Sequence, residues 1–264
     1  MEWNGMEWNR MESNGIESNR MYYVCYIYRY RHVMAEEIIE TNIRRIFDES
    51  IFHIEFIKTS TMWDVIISSK KDTTVSCLML KVNIRDKLFR IISLDRCDVG
   101  DEGKGNAMMR KVNELALSLP EYKSIKLNDV SYITLCDTIT VKLAHLKILT
   151  KGMSWYNTHG YLSENHADEM RHNNTLITSK IHNIPALRDI LKIDDEVFPK
   201  VKPTDTIQVY VSRMLKSIES ADSSRGTKKC GKVQAKKAEN LKNIVELLSP
   251  LLIYDTKLTK TVGQ

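Results

Sequence analysis

Apolar and polar positions change period several times along the chain, and each period predicts an element. Tyr26, Tyr28 and Tyr30 alternate with other residues, which predicts a half-buried strand. Ile38, Ile39, Ile43, Ile46 and Phe47 then fall at helical spacing behind Glu36 and Glu37, two acids suited to a first helical turn. Three apolar runs, MWDVIISS, TVSCLMLKV and LFRIISLD, read as strands. Short polar connections at Lys70–Thr73 and Asn83–Lys87 are of hairpin length, so the three make an antiparallel meander. Next, Met108, Met109, Val112, Leu115, Ala116 and Leu119 form one apolar helix face, ended by Pro120. These methionines read as core filler. SIKLNDV is a short strand, and Val141, Ala144, Leu146 and Ile148 belong to a further helix that Gly152 closes. The order strand, helix, three strands, helix, strand, helix predicts an α/β domain over residues 21–165.

The ends of the chain follow other patterns. Residues 1–20, MEWNGMEWNRMESNGIESNR, repeat with a period of five that matches neither a heptad nor a solenoid. A GGAAT repeat translates to Gly-Met-Glu-Trp-Asn in every forward frame, so this stretch reads as a low-complexity tail without a packed core. Residues 166–264 form a helical extension: Ile177, Ile181 and Ile184, then Ile207, Val211, Met214, Leu215 and Ile218, then Leu241, Ile244, Val245 and Leu248 give three helix-like patches.

Charge sharpens the picture only in that last third. The net charge is +5; residues 1–165 are balanced at 22 Lys+Arg and 22 Asp+Glu, whereas residues 166–264 carry 17 against 12. Six basic residues and no acids lie between Arg225 and Lys237, a stretch that reads as a solvated basic loop. Nucleic acid is a partner this loop could meet, but without interleaved aromatics it lacks the stacking groups of a single-strand binder. Five cysteines, Cys25, Cys77, Cys97, Cys136 and Cys230, stand at wide spacings with no paired CxxC, which supports neither a zinc site nor a disulfide framework. A reducing compartment, with the cytoplasm as default, follows from that usage. No apolar run is long enough for a membrane span, and no signal-peptide core opens the chain.

Two stretches carry candidate chemistry. In DVGDEGKGNAMM, Gly100, Gly103 and Gly105 precede the methionine-rich helix at a strand-to-helix junction. A helix start offers unpaired N–H groups and partial positive charge, and a glycine turn lets backbone approach an anion such as a phosphate. The spacing fits neither a Walker A loop nor a dinucleotide fingerprint. In KGMSWYNTHGYLS, Tyr156 sits near a helix end, where a tyrosine hydroxyl, protonated at neutral pH, can donate a proton to a leaving group. His159, His166 and His172 are spaced for no metal site and read as surface residues.

Together, Gly103-Lys104-Gly105 and Tyr156-Asn157-Thr158-His159-Gly160-Tyr161 resemble the GNAT family of N-acetyltransferases over residues 21–165, and the SWYNTHGY form is similar to GNAT-type proteins of giant DNA viruses. The resemblance implies a mixed, mostly antiparallel central sheet flanked by helices, with acetyl-CoA as cosubstrate. By carry-over, Val99, Gly100, Gly103, Lys104, Gly105, Asn106 and Ala107 hold the pyrophosphate, and Leu94 to Arg96 orient the thioester. Tyr156 protonates the departing thiolate, and Asp95 or Asp98, or a water beside them, is the candidate base. The implied reaction is direct attack by a primary amine on the acetyl group, with no metal. Three features depart from the family pattern: Gly100 stands where the family has Arg or Gln, Asp101 and Glu102 bring negative charge to the turn, and the segment before Tyr156 is long. The alternative reading is a non-catalytic binding or scaffold protein that uses its basic helical part.

Overall fold

The structure is a computed structural model that describes residues 34–95, 97–136, 138–187, 199–222 and 230–263. The repeat tail, the tyrosine strand, Cys25, Arg96 and Arg225 lie outside the described residues. The chain is α/β, with a mostly antiparallel mixed sheet of six strands in the order β1-β2-β3-β4-β5-β8, flanked by helices. The strands are β1 (Phe52–Lys58), β2 (Met62–Ser69), β3 (Ser76–Asn83), β4 (Leu88–Leu94), β5 (Ser124–Asn128) and β8 (Lys257–Thr261). A two-stranded hairpin, β6 (Tyr132–Leu135) and β7 (Ile139–Lys142), stands apart from that sheet. The described part divides into two compact units, the first built from residues up to 59, 63–79 and 93–122, and the second from the rest.

In the first unit, helix α1 spans 34–46 and α2 spans Gly105–Ser118. β1 and β2 pair antiparallel from Phe52↔Ser69 to Lys58↔Trp63, which puts Trp63, Val65 and Ile67 on the buried face. The face expected on α2 is buried in full, from Met108 to Leu119. On α1 the stripe is narrower than expected: Ile39, Ile43, Ile46 and Phe47 are buried, but Ile38 is 51% exposed. Lys111 ties the two helices, its Nζ donating to the Ile46 carbonyl at 3.0 Å.

The second unit holds the parallel element of the sheet. β4 and β5 run parallel from Leu88↔Ser124 to Ile91↔Leu127, as a crossover through α2 requires. β8 then pairs antiparallel with β5, Ser124↔Thr261 to Asn128↔Lys257, and a single bridge joins Leu162 to Thr259 on its other side. Helices α3 (Leu143–Lys151), α4 (His166–Thr178), α5 (Ile207–Asp222) and α6 (Lys232–Leu248) share one core, in which Leu146, Ile177, Tyr210, Met214, Leu241 and Ile244 are all buried. α4 also fixes the lead into β8: Asn173 exchanges two hydrogen bonds with the Ile253 backbone, and Glu169 accepts from the Asp255 N–H at 3.1 Å.

Several expectations need correction. Val141 is not helical; it lies in β7, and α3 begins two residues later before Gly152 closes it as expected. The second and third patches of the last third are helical, but of the first only Ile177 is; Ile181 falls in a short 3-10 turn, Ile184 is extended, and the described chain ends in a strand. Lys232 to Lys237 are not loop but the first turns of α6 behind Gly231. The absence of disulfides is also overturned: Cys77 pairs with Cys97, and Cys136 with Cys230. In each case the partner is brought near by tertiary structure rather than by spacing, since Asp95 N–H donates to the Cys77 carbonyl across the β3–β4 pair and Cys136 sits in the β6–β7 turn. Cysteine usage therefore gives no argument for a reducing compartment. Among the described residues no helix is long and apolar enough to cross a membrane.

A buried ion pair anchors the start of α5. Asp205, 3% exposed, accepts from Arg213 at 2.6 and 3.2 Å and from the Lys202 N–H at 2.7 Å. Burial pushes the Asp205 carboxyl up, but Arg213 and the Lys202 N–H outweigh it and hold the carboxyl below its ordinary value. Its contribution is therefore present above the unfolded carboxyl's pKa, about 3.9, and lost as pH falls through the lower folded value. Arg213→Ala is expected to cost about 2 kcal/mol at pH 7, less than for a fully buried pair because the guanidinium is partly solvated. Urea melts of both proteins at pH 7 and pH 3 measure this, and the difference should shrink at pH 3.

Candidate functional site

The turn after β4 is shaped by its own packing. Leu94 ends the strand, Asp95 continues the pairing with β3 through its N–H, and the Asp95 and Asp98 side chains are exposed. Gly100–Gly103 form one 3-10 turn, with Gly100 at φ +66°, a conformation side chains other than glycine rarely adopt. Gly103 is buried, and a Cβ there would lie 2.4 Å from the Cys97 carbonyl oxygen and 2.8 Å from Val99. Cys97 N–H in turn donates to the Gly103 carbonyl at 3.3 Å. The glycine at 103 thus has a reason in turn closure alone.

α2 starts at Gly105 with Lys104 as N-cap and no capping side chain. Ala107 and Met108 N–H both go to the Lys104 carbonyl, at 2.9 and 3.1 Å. The acids of the turn are already paired: Asp101 with Lys104 at 2.5 Å, and Glu102 with Lys111 at 3.0 Å. Lys104 holds the Asp101 carboxyl below its ordinary value, chiefly by hydrogen bonding. This stretch therefore combines an uncapped helix start with two ion pairs, and it gathers Leu94, Asp95 and Val99 to Ala107 within one unit.

Tyr156 belongs to the second unit. It is 7% exposed, beside the Trp155 ring at 4.8 Å and the Tyr161 ring at 6.3 Å. Its carbonyl accepts from His159 and Tyr161 N–H, while Asn157 clasps the turn by accepting from Ser154 N–H and donating to the Tyr161 carbonyl at 2.8 Å. Lys260 of β8 donates to the His159 carbonyl at 2.8 Å, and burial lowers its ammonium pKa. Of the three histidines read as surface residues, only His172 is exposed, and its Nε2 lies 2.9 Å from the Leu251 carbonyl. His159 is half-buried on the Trp155 ring, at 4.7 Å, and burial pushes its pKa down.

Sequence reasoning passed over a polar network joined to this turn. Asp129, directly after β5, is 5% exposed. Its Oδ1 accepts from Ser131 Oγ at 2.5 Å and Ser131 N–H at 3.2 Å, and its Oδ2 accepts from the Tyr254 hydroxyl at 2.5 Å. Ser154, two residues before Tyr156, hydrogen-bonds to Tyr254. Burial first, then Asp129, pushes the Tyr254 hydroxyl pKa far above its ordinary value, so it stays a donor. The Asp-x-Ser pattern of Asp129 and Ser131 was the one local signal; Tyr254 lies 125 residues away from Asp129 and gave none.

Comparison of the chain with protein-family models, with curated proteins and with solved structures finds no match. Gly103→Ala is expected to destabilise the protein by about 1–3 kcal/mol, because the new methyl group must displace backbone. Gly100→Ala, where nothing lies within 4 Å, should cost less, about 1 kcal/mol from φ alone. Chemical denaturation checks the ranking, and equal costs would contradict it.

Proposed function

We propose that this chain is a GNAT-type acyltransferase that moves an acetyl group from acetyl-CoA to a primary amine by direct attack. One observation carries the reading. β4 and β5 are the parallel pair of an otherwise antiparallel sheet, and their ladder stops at Ile91↔Leu127 although β4 runs on to Leu94. β4 therefore extends three residues past its last pair with β5, and this end is where the resemblance asks the strand to meet the thioester. The connection between the two strands is the glycine turn and α2, the order that the GNAT resemblance implies.

The residues fit acetyl-CoA at the turn in part. An uncapped helix start suits an anion, and Lys104, 60% exposed, places a cation beside it. Val99, Gly100, Gly103, Gly105, Asn106 and Ala107 would hold the pyrophosphate, and Leu94 and Asp95 would meet the thioester. Acetyl-CoA supplies the acetyl group and a thiol leaving group; Tyr156, buried and held by its turn, would return a proton to that sulfur. The exposed Asp95 and Asp98 remain candidate bases on this reading.

A second reading, a non-catalytic binding protein, draws on the Asp101–Lys104 and Glu102–Lys111 pairs, which leave the turn without surplus positive charge. Isothermal titration separates the two. Acetyl-CoA is expected to bind in the micromolar range, and Gly105→Glu should abolish the heat by placing a carboxylate at the helix start. No heat with wild type, beside salt-sensitive DNA or RNA binding, would favour the second reading. Tyr156→Phe is expected to lower kcat about a hundredfold with little change in acetyl-CoA affinity. Equal loss of both would make Tyr156 a packing residue.

A further inference from the structure

The network around Asp129 borders a cavity of about 110 Å³ within the second unit, lined by Asp129, Ser131, Tyr132, Lys142, His145 and Tyr254 among others. We infer that this cavity takes the primary ammonium group of an amine carrying an apolar substituent, with Asp129 as its anion and His145 as the base that deprotonates it. The inference rests on the transferase reading for what happens to the amine next, but not for the binding itself.

Asp129 supplies the first argument. A buried carboxylate requires compensation. Here three donors point at it and use three of its roughly four acceptor sites, yet no Lys or Arg among the described residues pairs with it. A carboxylate on a cavity wall with one acceptor site left is complementary to an ammonium group. Near the cavity Val130 is 69% and Tyr132 60% exposed, large apolar side chains suited to an apolar substituent. The volume corresponds to about four waters, so it admits an aminoethyl head and leaves the rest of the ligand outside.

His145 supplies the second. Its Nδ1 lies 2.6 Å from Ser249 Oγ, and Ser249 has one proton, which it donates to the Val245 carbonyl at 2.7 Å. Ser249 therefore accepts from His145 Nδ1–H, which fixes the tautomer and leaves Nε2 with its lone pair. Nε2 has no partner among the described residues. Three groups face the ring: Lys142 from β7, Asp129 from the end of β5, and Tyr254, whose ring stands edge-on at 6.4 Å. Burial, then Lys142, lowers the His145 pKa, and Asp129 opposes them, so the imidazole is neutral at pH 7.

The proton balance closes. Nε2 takes one proton from R–NH3+ and passes it to water. The freed amine forms an N–C bond to the acetyl carbonyl carbon, and the C–S bond breaks with its electron pair on sulfur. The second nitrogen proton goes to that thiolate. His145 would then be the base in place of Asp95 or Asp98.

The test uses 2-phenylethylamine and the full chain with no acetyl-CoA present, following the His145 ring resonances by NMR. Saturable shifts are expected with wild type, with 2-phenylethanol as a neutral control that produces none. Asp129→Asn should raise the Kd at least about tenfold. No shift up to about 10 mM amine, equal shifts with the alcohol, or an unaltered Kd in a folded Asp129→Asn protein would overturn the site. In the acetyl-transfer assay, His145→Gln should lower kcat at least about a hundredfold. It should also remove an acid limb lying below the ordinary histidine value, about 6.5; an unchanged limb would overturn the base assignment. Amine binding without acetyl-CoA heat would refute the transferase reading alone, and the converse would refute the amine site alone.

Discussion

A buried carboxylate sets the organisation of the second unit. Asp129 sits where β5 ends, and a carboxylate withdrawn from water must collect donors. Ser131 supplies two donors by curling the chain directly after the strand, which is why β5 stops there and the β6–β7 hairpin leaves the sheet. Tyr254 supplies the third from the far end of the chain, and the Asp129 N–H donates to Thr256 beside it. Satisfying one carboxylate therefore fixes the approach of β8 to β5, and β8 in turn carries the bridge to Leu162 and the lysine that closes the Tyr156 turn.

α4 does the complementary work. Its Glu169 and Asn173 lie one helical turn apart, while Ile253 and Asp255 lie two residues apart in extended chain. A turn of helix rises about 5.4 Å and two extended residues about 6.7 Å, so the two spacings match well enough for side chains to pair with backbone. This is how an extended segment with no strand neighbour on that side among the described residues keeps its polar groups satisfied. α4 thus positions Tyr254, and through it Asp129, while the core it shares with α3, α5 and α6 around Leu146, Tyr210, Met214 and Leu241 remains apolar.

What could be read in the sequence follows from the range of the forces involved. The meander, α2 and the three tail helices obey local periodicity, and they were legible because burial on one face writes that period directly. β6 and β7 were hidden because four-residue strands are too short to show alternation, and Val141 joined the helical stripe that follows it. β8 was hidden because KLTKT is polar; one buried leucine and pairing with β5 make it a strand. Within the candidate site, the glycine turn and the Tyr156 turn were visible as local motifs. Asp129, His145 and Tyr254 were not, since each acquires its meaning from a partner 100 or more residues away. The cysteine pairs escaped for the same reason, being neighbours only across a hairpin or a fold.

The acids of the glycine turn are the strongest objection to an anion site, and magnitudes decide how far it reaches. Asp101 and Lys104 are 89% and 60% exposed, so their pair adds little to stability and is screened by salt. A doubly charged diphosphate meeting an uncapped helix start gains more than that from charge-assisted hydrogen bonds alone. Lys104 can therefore exchange one anion for another at little cost. Lys111 cannot: it is 17% exposed, and its Nζ also holds the Ile46 carbonyl, so its pairing with Glu102 belongs to the packing of α2 on α1. The two ion pairs look alike in sequence, yet one is a replaceable surface contact and the other a structural tie. Once Lys104 turns to a phosphate, the negative charge of Asp101 still weighs against it, and the exposure of that carboxylate to solvent keeps the weight small.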